Sequence, residues 1–219
     1  MIGDKLTYYS EYKPISAHIL SKLRMEQIPS PRFCIAVCGE SGCGKSSMAQ
    51  SLLIDIEDQT KFKGYIFHSD DYFFLPPRTN HEQRLKDINK VGPNEVDLAL
   101  LDFHLTSFKN GAPKLEKPLV NYSENSIKTE LIRPTNLDFC IVEGTYVGNL
   151  KSPNYVIFMG ANFKQTMANR KKRARDVLDD FNERVLLIEH QIIKKQAALA
   201  DIIVDTNYHF SVNKKDETS

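Results

Sequence analysis

Residues 39–46 read Gly39-Glu40-Ser41-Gly42-Cys43-Gly44-Lys45-Ser46, with Ser47 next. The spacing is glycine, four residues, then Gly-Lys-Ser, and each part suits the binding of a polyphosphate. The glycines let backbone N–H groups turn inward around phosphate oxygens, and a following helix offers its positive N-terminal end to the same anion. Lys45 is placed to reach the β and γ phosphates of a nucleoside triphosphate, and the Ser46 hydroxyl to ligate Mg²⁺. The pattern directly follows the apolar run FCIAVC and precedes SSMAQSLLIDI, which reads as a helix. Strand, loop and helix in that order form the context in which such a loop works.

Two more groups of residues could share that site. One apolar run ends in His68-Ser69-Asp70-Asp71-Tyr72-Phe73, another in Glu143-Gly144. In open α/β sheets ligands bind outside the carboxyl ends of the strands. Asp70, Asp71 and Glu143 are therefore expected to face the same crevice as the phosphate loop. There they would supply a base for an attacking hydroxyl and an acidic partner for Mg²⁺. Adjacent residues of an extended segment point opposite ways, so only one of Asp70 and Asp71 should face the crevice. The basic run at 170–176, Arg-Lys-Lys-Arg-Ala-Arg-Asp, interrupts an apolar stripe of Phe163, Met167, Ala174, Val177, Leu178 and Phe181. It reads as a lid over 168–184 that neutralises phosphate charge, with a solvated helix face and a nucleic-acid patch as the weaker alternatives.

The elements that must position these residues follow from the hydrophobic pattern. Short apolar runs without alternation at 33–38, 64–67, 139–142, 155–159 and 202–204 read as strands buried on both faces of a parallel sheet. Helical stretches at 46–57, 96–108, 163–178 and 181–199 lie between them. The alternation predicts an α/β fold with a doubly wound, mostly parallel sheet over 31–210. Residues 110–135, rich in turn and β-prone residues, read as an inserted hairpin or lobe. Residues 14–28 read as an amphipathic helix within an N-terminal extension over 1–30, either a packing appendage or a face for a homo-oligomer. Residues 211–219 read as a polar tail.

Composition bounds the partners. In 219 residues, Lys and Arg number 29 and Asp and Glu 28, so the net charge of +1 gives no whole-molecule attraction to nucleic acid or an anionic membrane. The longest apolar runs fall far short of the roughly 20 residues needed to span a bilayer. Cys34, Cys38, Cys43 and Cys140 form no C-x-x-C pair and supply no zinc spacing, which suits reduced thiols in a cytoplasmic protein. The first residues, MIGDKLTYYSEYKP, contain no hydrophobic signal core.

Together these residues resemble the uridine kinase, phosphoribulokinase and pantothenate kinase superfamily of P-loop kinases, from about residue 33 to 205. The loop GESGCGKSS looks like its phosphate loop. Asp70-Asp71-Tyr72-Phe73 resembles its D-x-[FY]-[FYH] segment, which implies Asp70 as catalytic base and Tyr72 beside the substrate. Gly92-Pro93-Asn94-Glu95-Val96-Asp97 resembles its H-P-x-x-[FY]-D segment and implies Asp97 as a partner of acceptor hydroxyls; Gly92 stands where the family has His. IVEGTY implies Glu143 as the Mg²⁺-associated carboxylate. The run before Asp176 resembles the lid's R-x-x-R-D, which implies Arg173 and Arg175 as catalytic cations. Ala200-Asp201-Ile202-Ile203 resembles the family's strand near the adenine. In the lobe, PLVNYSENSI supplies Tyr122 as a substrate contact but lacks the His and Arg that nucleoside kinases use on the base. The resemblance implies an ATP- and Mg²⁺-dependent kinase that transfers the γ-phosphoryl group to a hydroxyl of a small metabolite. Nucleoside or ribosyl compounds lead as acceptors. Pantothenate, a sugar and a non-enzymatic nucleotide switch are the alternatives.

Overall fold

A computed structural model of the chain describes residues 7–25, 32–173 and 179–213. In chain order its strands are β1 (Phe33–Gly39), β2 (Gly64–His68), β3 (Leu115–Asn121), β4 (Ser126–Ile132), β5 (Phe139–Gly144), β6 (Tyr155–Met159), β7 (Ile202–Val204) and β8 (Phe210–Val212). Its α-helices are α1 (Lys13–Met25), α2 (Lys45–Gln59), α3 (Pro77–Lys86), α4 (Leu98–Lys109), α5 (Met167–Arg173) and α6 (Asp180–Ile193).

Six strands form one sheet in the order β2-β5-β1-β6-β7-β8. The first five run parallel, and β8 closes the edge antiparallel to β7. The strand β1 is buried along its whole length, as its unbroken apolar run requires of a central strand with both faces covered. Its alternate side chains serve two cores. Ile35 and Val37 meet Met48, Leu52 and Ile56 of α2 on one face, together with Ile15 and Ile19 of α1. Cys34, Ala36 and Cys38 meet Leu101, Leu105 and Phe108 of α4 and Ile193 of α6 on the other. The fold is a doubly wound, mostly parallel α/β sheet.

Several elements depart from the sequence pattern. The helix near the N-terminus packs onto the domain: Ile15 and Ile19 are fully buried against α2, each burial worth roughly 2 kcal/mol. Residues 163–166 form a turn, and the helix there begins only at Met167. The stretch expected as one helix over 181–199 ends its α-helical part at Ile193 and tightens into a 3₁₀ segment over Lys194–Leu199. The start of the polar tail, Ser211 and Val212, is strand, because β8 pairs in register with β7. Helix α3 has no counterpart in the apolar pattern. Within the inserted stretch, β3 and β4 pair antiparallel from Leu115↔Ile132 to Asn121↔Ser126. All four cysteines are free and buried.

Candidate active site

Strand register gathers the candidate residues at one end of the sheet. His68 lies level with Glu143, Glu143 with Val37, Gly39 with Met159, and Met159 with Val204. Everything that leaves the carboxyl ends of β1, β2, β5, β6 and β7 therefore opens into one region. An open cleft of about 440 Å³ lies there, lined by Ser41 to Ser47, Asp70, Glu143 and Thr145, with Thr166, Asn169 and Tyr208 among the other walls.

The loop between β1 and α2 is held as a phosphate cradle. Gly42 and Gly44 lie at φ of +77° and +97°, where side chains are strained, and a Cβ on Gly42 would fall 2.7 Å from the Arg170 side chain. The Thr166 hydroxyl donates to the Ser41 carbonyl at 2.8 Å, and the Asn169 amide to the Gly42 carbonyl at 3.2 Å, so α5 and the turn before it hold the loop. Lys45 opens α2 and its ammonium donates to the Glu40 carbonyl at 2.9 Å. Among the described lining residues Lys45 is the sole cation. Cys43 lines the cleft, and burial pushes the pKa of its thiol up.

Glu143 is the acidic side of this cleft. Burial alone would raise its pKa. The His68 imidazole, 2.7 Å away, outweighs burial together with the Lys45 charge and the Ser46 hydroxyl, and the group is held below the usual carboxylate range. A carboxylate kept ionised beside a serine hydroxyl and a lysine fits the donor set for hydrated Mg²⁺ on a nucleotide polyphosphate. Ser46 and Glu143 are the residues that would hold that ion, which when bound neutralises phosphate charge. Gly144 permits the close packing next to it: a Cβ there would overlap the Ser69 hydroxyl.

The segment Ser69–Tyr72 after β2 is a 3₁₀ turn rather than an extended stretch. Successive side chains in such a turn still diverge, by about 120° at three residues per turn. Asp71 is fully buried: one oxygen accepts from Lys117 Nζ at 3.0 Å and the other from the Val120 N–H at 3.0 Å. It thereby clamps the β3–β4 hairpin to the sheet. Asp70 is half-buried and borders the cradle cleft. It also borders a second cleft of about 500 Å³, lined by Phe73, Leu75, Arg78, His81, Val120 and Tyr122 among others. The two spaces meet at Asp70.

The second cleft has walls from distant parts of the chain. Helix α3 supplies Arg78, His81 and Arg84, the hairpin Val120 and Tyr122, and α6 Asn182. Arg84 grips Glu95 through two nitrogens at 2.6 and 2.8 Å and reaches Glu189 of α6 at 3.1 Å. Burial raises the pKa of Glu189, against the pull of the Arg84 charge. Bidentate guanidinium pairing of this kind fixes direction as well as distance, so α3 is positioned although it carries no apolar stripe. The Arg78 side chain donates to the Ser123 carbonyl at 2.9 Å and ties the helix to the hairpin turn.

Several residues singled out from sequence fall elsewhere. Gly39 and Glu40 belong to the loop pattern but do not line the cleft. The Glu40 carboxylate accepts from the Phe163 N–H and meets His190 Nδ1, both at 2.6 Å, bracing the loop from behind. Tyr72 lies in the core and lines neither cleft: it is 1% exposed and its hydroxyl pairs with His104 Nδ1 at 2.9 Å. Asp97 caps α4 by accepting from the Leu100 N–H at 2.9 Å and lines neither cleft. Of the basic run, Arg170 is buried and donates to the Phe163 carbonyl at 2.9 Å. The Arg173 side chain and all of Arg175 lie outside the described residues.

The sequence profile of the phosphoribulokinase / uridine kinase family matches residues 34–161. The chain belongs to that family. A uridine kinase of Serratia proteamaculans is 28% identical over 193 residues, which cover 82% of this chain and 90% of that one. One of Streptococcus thermophilus is 24% identical over 189 residues, 81% of this chain and 87% of its own. Among solved structures, D-glycerate 3-kinase of Cryptococcus neoformans superposes with a TM-score of 0.65 at 12% identity, covering 94% of this chain and all of its own. Phosphoribulokinase of Rhodobacter spheroides superposes with a TM-score of 0.59 at 10% identity, covering 80% of this chain and 70% of its own. These two structures speak for the fold alone. As a member of the family, the chain is a kinase, a phosphotransferase that acts on an alcohol group of a small metabolite. The family uses ATP. No described helix is long and apolar enough to cross a membrane.

Proposed function

We propose that the chain transfers the γ-phosphoryl group of Mg²⁺–ATP to a hydroxyl of a nucleoside or ribosyl compound, with Asp70 as the general base. The observation that carries this reading is that Asp70 borders both clefts. A base between a triphosphate cradle and a second cavity meets the two demands of phosphoryl transfer: it positions the attacking hydroxyl, and it accepts the proton as the bond to phosphorus forms. Lys45 spreads the charge of the transferring group. Ser46 and Glu143 hold the metal. Tyr122 contacts the acceptor. The named uridine kinase relatives favour a nucleoside acceptor. Arg78 and His81 in the wall of the second cleft favour the alternative, an acceptor with an acidic group such as pantothenate. The test is a screen of nucleosides, ribosyl compounds, pantothenate and sugars with Mg²⁺–ATP, reading the phosphorylated product by mass. A nucleoside monophosphate is the expected product. Phosphorylation of pantothenate or a sugar alone would overturn the acceptor assignment, and no product with any hydroxyl compound would overturn the mechanism.

A further inference from the structure

The strand order gives the nucleotide cleft a direction. With β2 and β5 on one side of β1, Asp70 and Glu143 lie on that side of the phosphate loop. With β6 and β7 on the other, Met159, Val204 and the turn that follows β7 lie opposite. A triphosphate whose terminal group meets Asp70 must lead its nucleoside across β6 toward β7. The cleft wall at that end is made of Tyr9, Tyr12, Met159, Asp205 and Tyr208, with Thr206 beside them. Among the described residues this wall holds no cation, and its one charge is negative. Such a wall repels phosphate and suits a flat, uncharged ring.

Three tyrosines meet at that wall. Tyr12 is buried, and the rings of Tyr9 and Tyr208 meet it nearly edge-on at 6.0 and 5.3 Å. Tyr9 and Tyr208 themselves stay 38% and 39% exposed, so ring surface faces the cleft rather than the core. Tyr208 sits at φ +66°, a conformation that a bulky residue adopts only when its surroundings enforce it. Asp205 enforces it: its carboxylate accepts from the N–H groups of Asn207 and His209 at 2.8 and 2.9 Å, and its carbonyl from the Tyr208 N–H at 3.2 Å. On the other side, the Tyr9 N–H donates to Ser51 and the Tyr8 hydroxyl to Asp55, at 3.0 and 2.9 Å, which pins residues 8–12 to the helix that begins at the cradle. None of these tyrosines lies within residues 34–161, the stretch the family profile matches.

We propose that Tyr9 and Tyr208, backed by the buried ring of Tyr12, form an aromatic nucleobase site of the phosphate donor, so that the segment before β1 is part of the nucleotide-binding machinery. The inference rests on the reading of the cleft as a nucleoside triphosphate site. Affinities of the full chain for Mg²⁺–ATP and for Mg²⁺–tripolyphosphate, measured by calorimetry, test the two separately, because tripolyphosphate has the phosphates without the base. The wild-type chain is expected to bind ATP at least roughly ten-fold more tightly than tripolyphosphate, the span of one good base–aromatic stack. Tyr208→Gly keeps the positive φ and removes only the ring. It should lower ATP affinity roughly ten-fold and leave tripolyphosphate unchanged. Tyr208→Phe should keep both affinities, and Tyr9→Ala, on the other side of Tyr12, should repeat the selective loss. Equal wild-type affinities for the two ligands would overturn the inference. So would a Tyr208→Gly variant that binds ATP as well as wild type, or one that loses both ligands alike. Failure of the wild-type chain to bind either ligand would instead reject the nucleotide reading, and this inference with it.

Discussion

The two clefts that meet at Asp70 are built on opposite plans. The cradle cleft takes its centre from one unbroken segment, residues 41–47, whose lysine and serine lie in the same run as its glycines. The second cleft takes its walls from the turn after β2, from α3, from the β3–β4 hairpin and from α6. It is held together by charged contacts between those parts: Asp71 with Lys117, and Arg84 with Glu95 and Glu189. The difference teaches where a kinase of this architecture can vary. The phosphate end depends on main-chain geometry and tolerates little change. The acceptor end depends on dispersed side chains, so its selectivity can shift without disturbing the cradle. The neighbours Asp70 and Asp71 mark the division within one turn, the first bordering both clefts and the second fastening the wall of one.

Three substitutions would break or sharpen that division. The largest effect is expected from Lys45→Ala, which removes the cradle's only described cation. kcat/KM for phosphoryl transfer should fall by roughly 10³-fold or more, while thermal unfolding shows little change because Lys45 is not a core residue. Retained turnover would mean that the phosphate charge is met elsewhere. A smaller and different effect is expected from Lys117→Ala. The ammonium is 2% exposed, and its loss strands the Asp71 carboxylate in the interior. Stability measured by urea unfolding should fall by about 3–5 kcal/mol, and acceptor KM should rise as the hairpin loosens, with ATP affinity within a few-fold of wild type. A parallel loss of ATP affinity would show that the two clefts are not independent. The smallest effect is expected from Tyr72→Phe, which deletes one buried hydrogen bond to His104. It should cost about 1 kcal/mol of stability and leave acceptor KM unchanged. A several-fold rise in KM would return Tyr72 to the substrate site.

The same division decides how far the sequence could be read. The cradle was legible because its signal is contiguous: the glycine-lysine-serine spacing and the strand and helix on either side sit together in residues 33–57. The five parallel strands were legible because burial on both faces leaves apolar runs without polar interruption. Helix α3 was not, since PRTNHEQRLK is polar on every side and is fixed by Arg84 reaching Glu95 and Glu189, residues 11 and 105 positions away. The proline at its first position is the one local sign of it. The burial of Tyr72 and the helix cap made by Asp97 were not legible because a pattern match records residue type and order but not which way a side chain turns; one turns into the core and the other onto its own helix. His68 was passed over as part of a strand end, and its contact with Glu143 depends on the pairing of β2 with β5.

The account turns on Asp70 as the base between the two spaces, and single-turnover phosphoryl transfer in Asp70→Asn tests it most directly. With Mg²⁺–ATP and the acceptor that the screen identifies, rapid quenching should show the transfer step slowed roughly 10²–10⁴-fold, about 3–5 kcal/mol of barrier, at an ATP affinity within a few-fold of wild type. A transfer step as fast as wild type would contradict the account. So would a loss that lies wholly in ATP affinity, because Asp70 would then belong to the cradle alone.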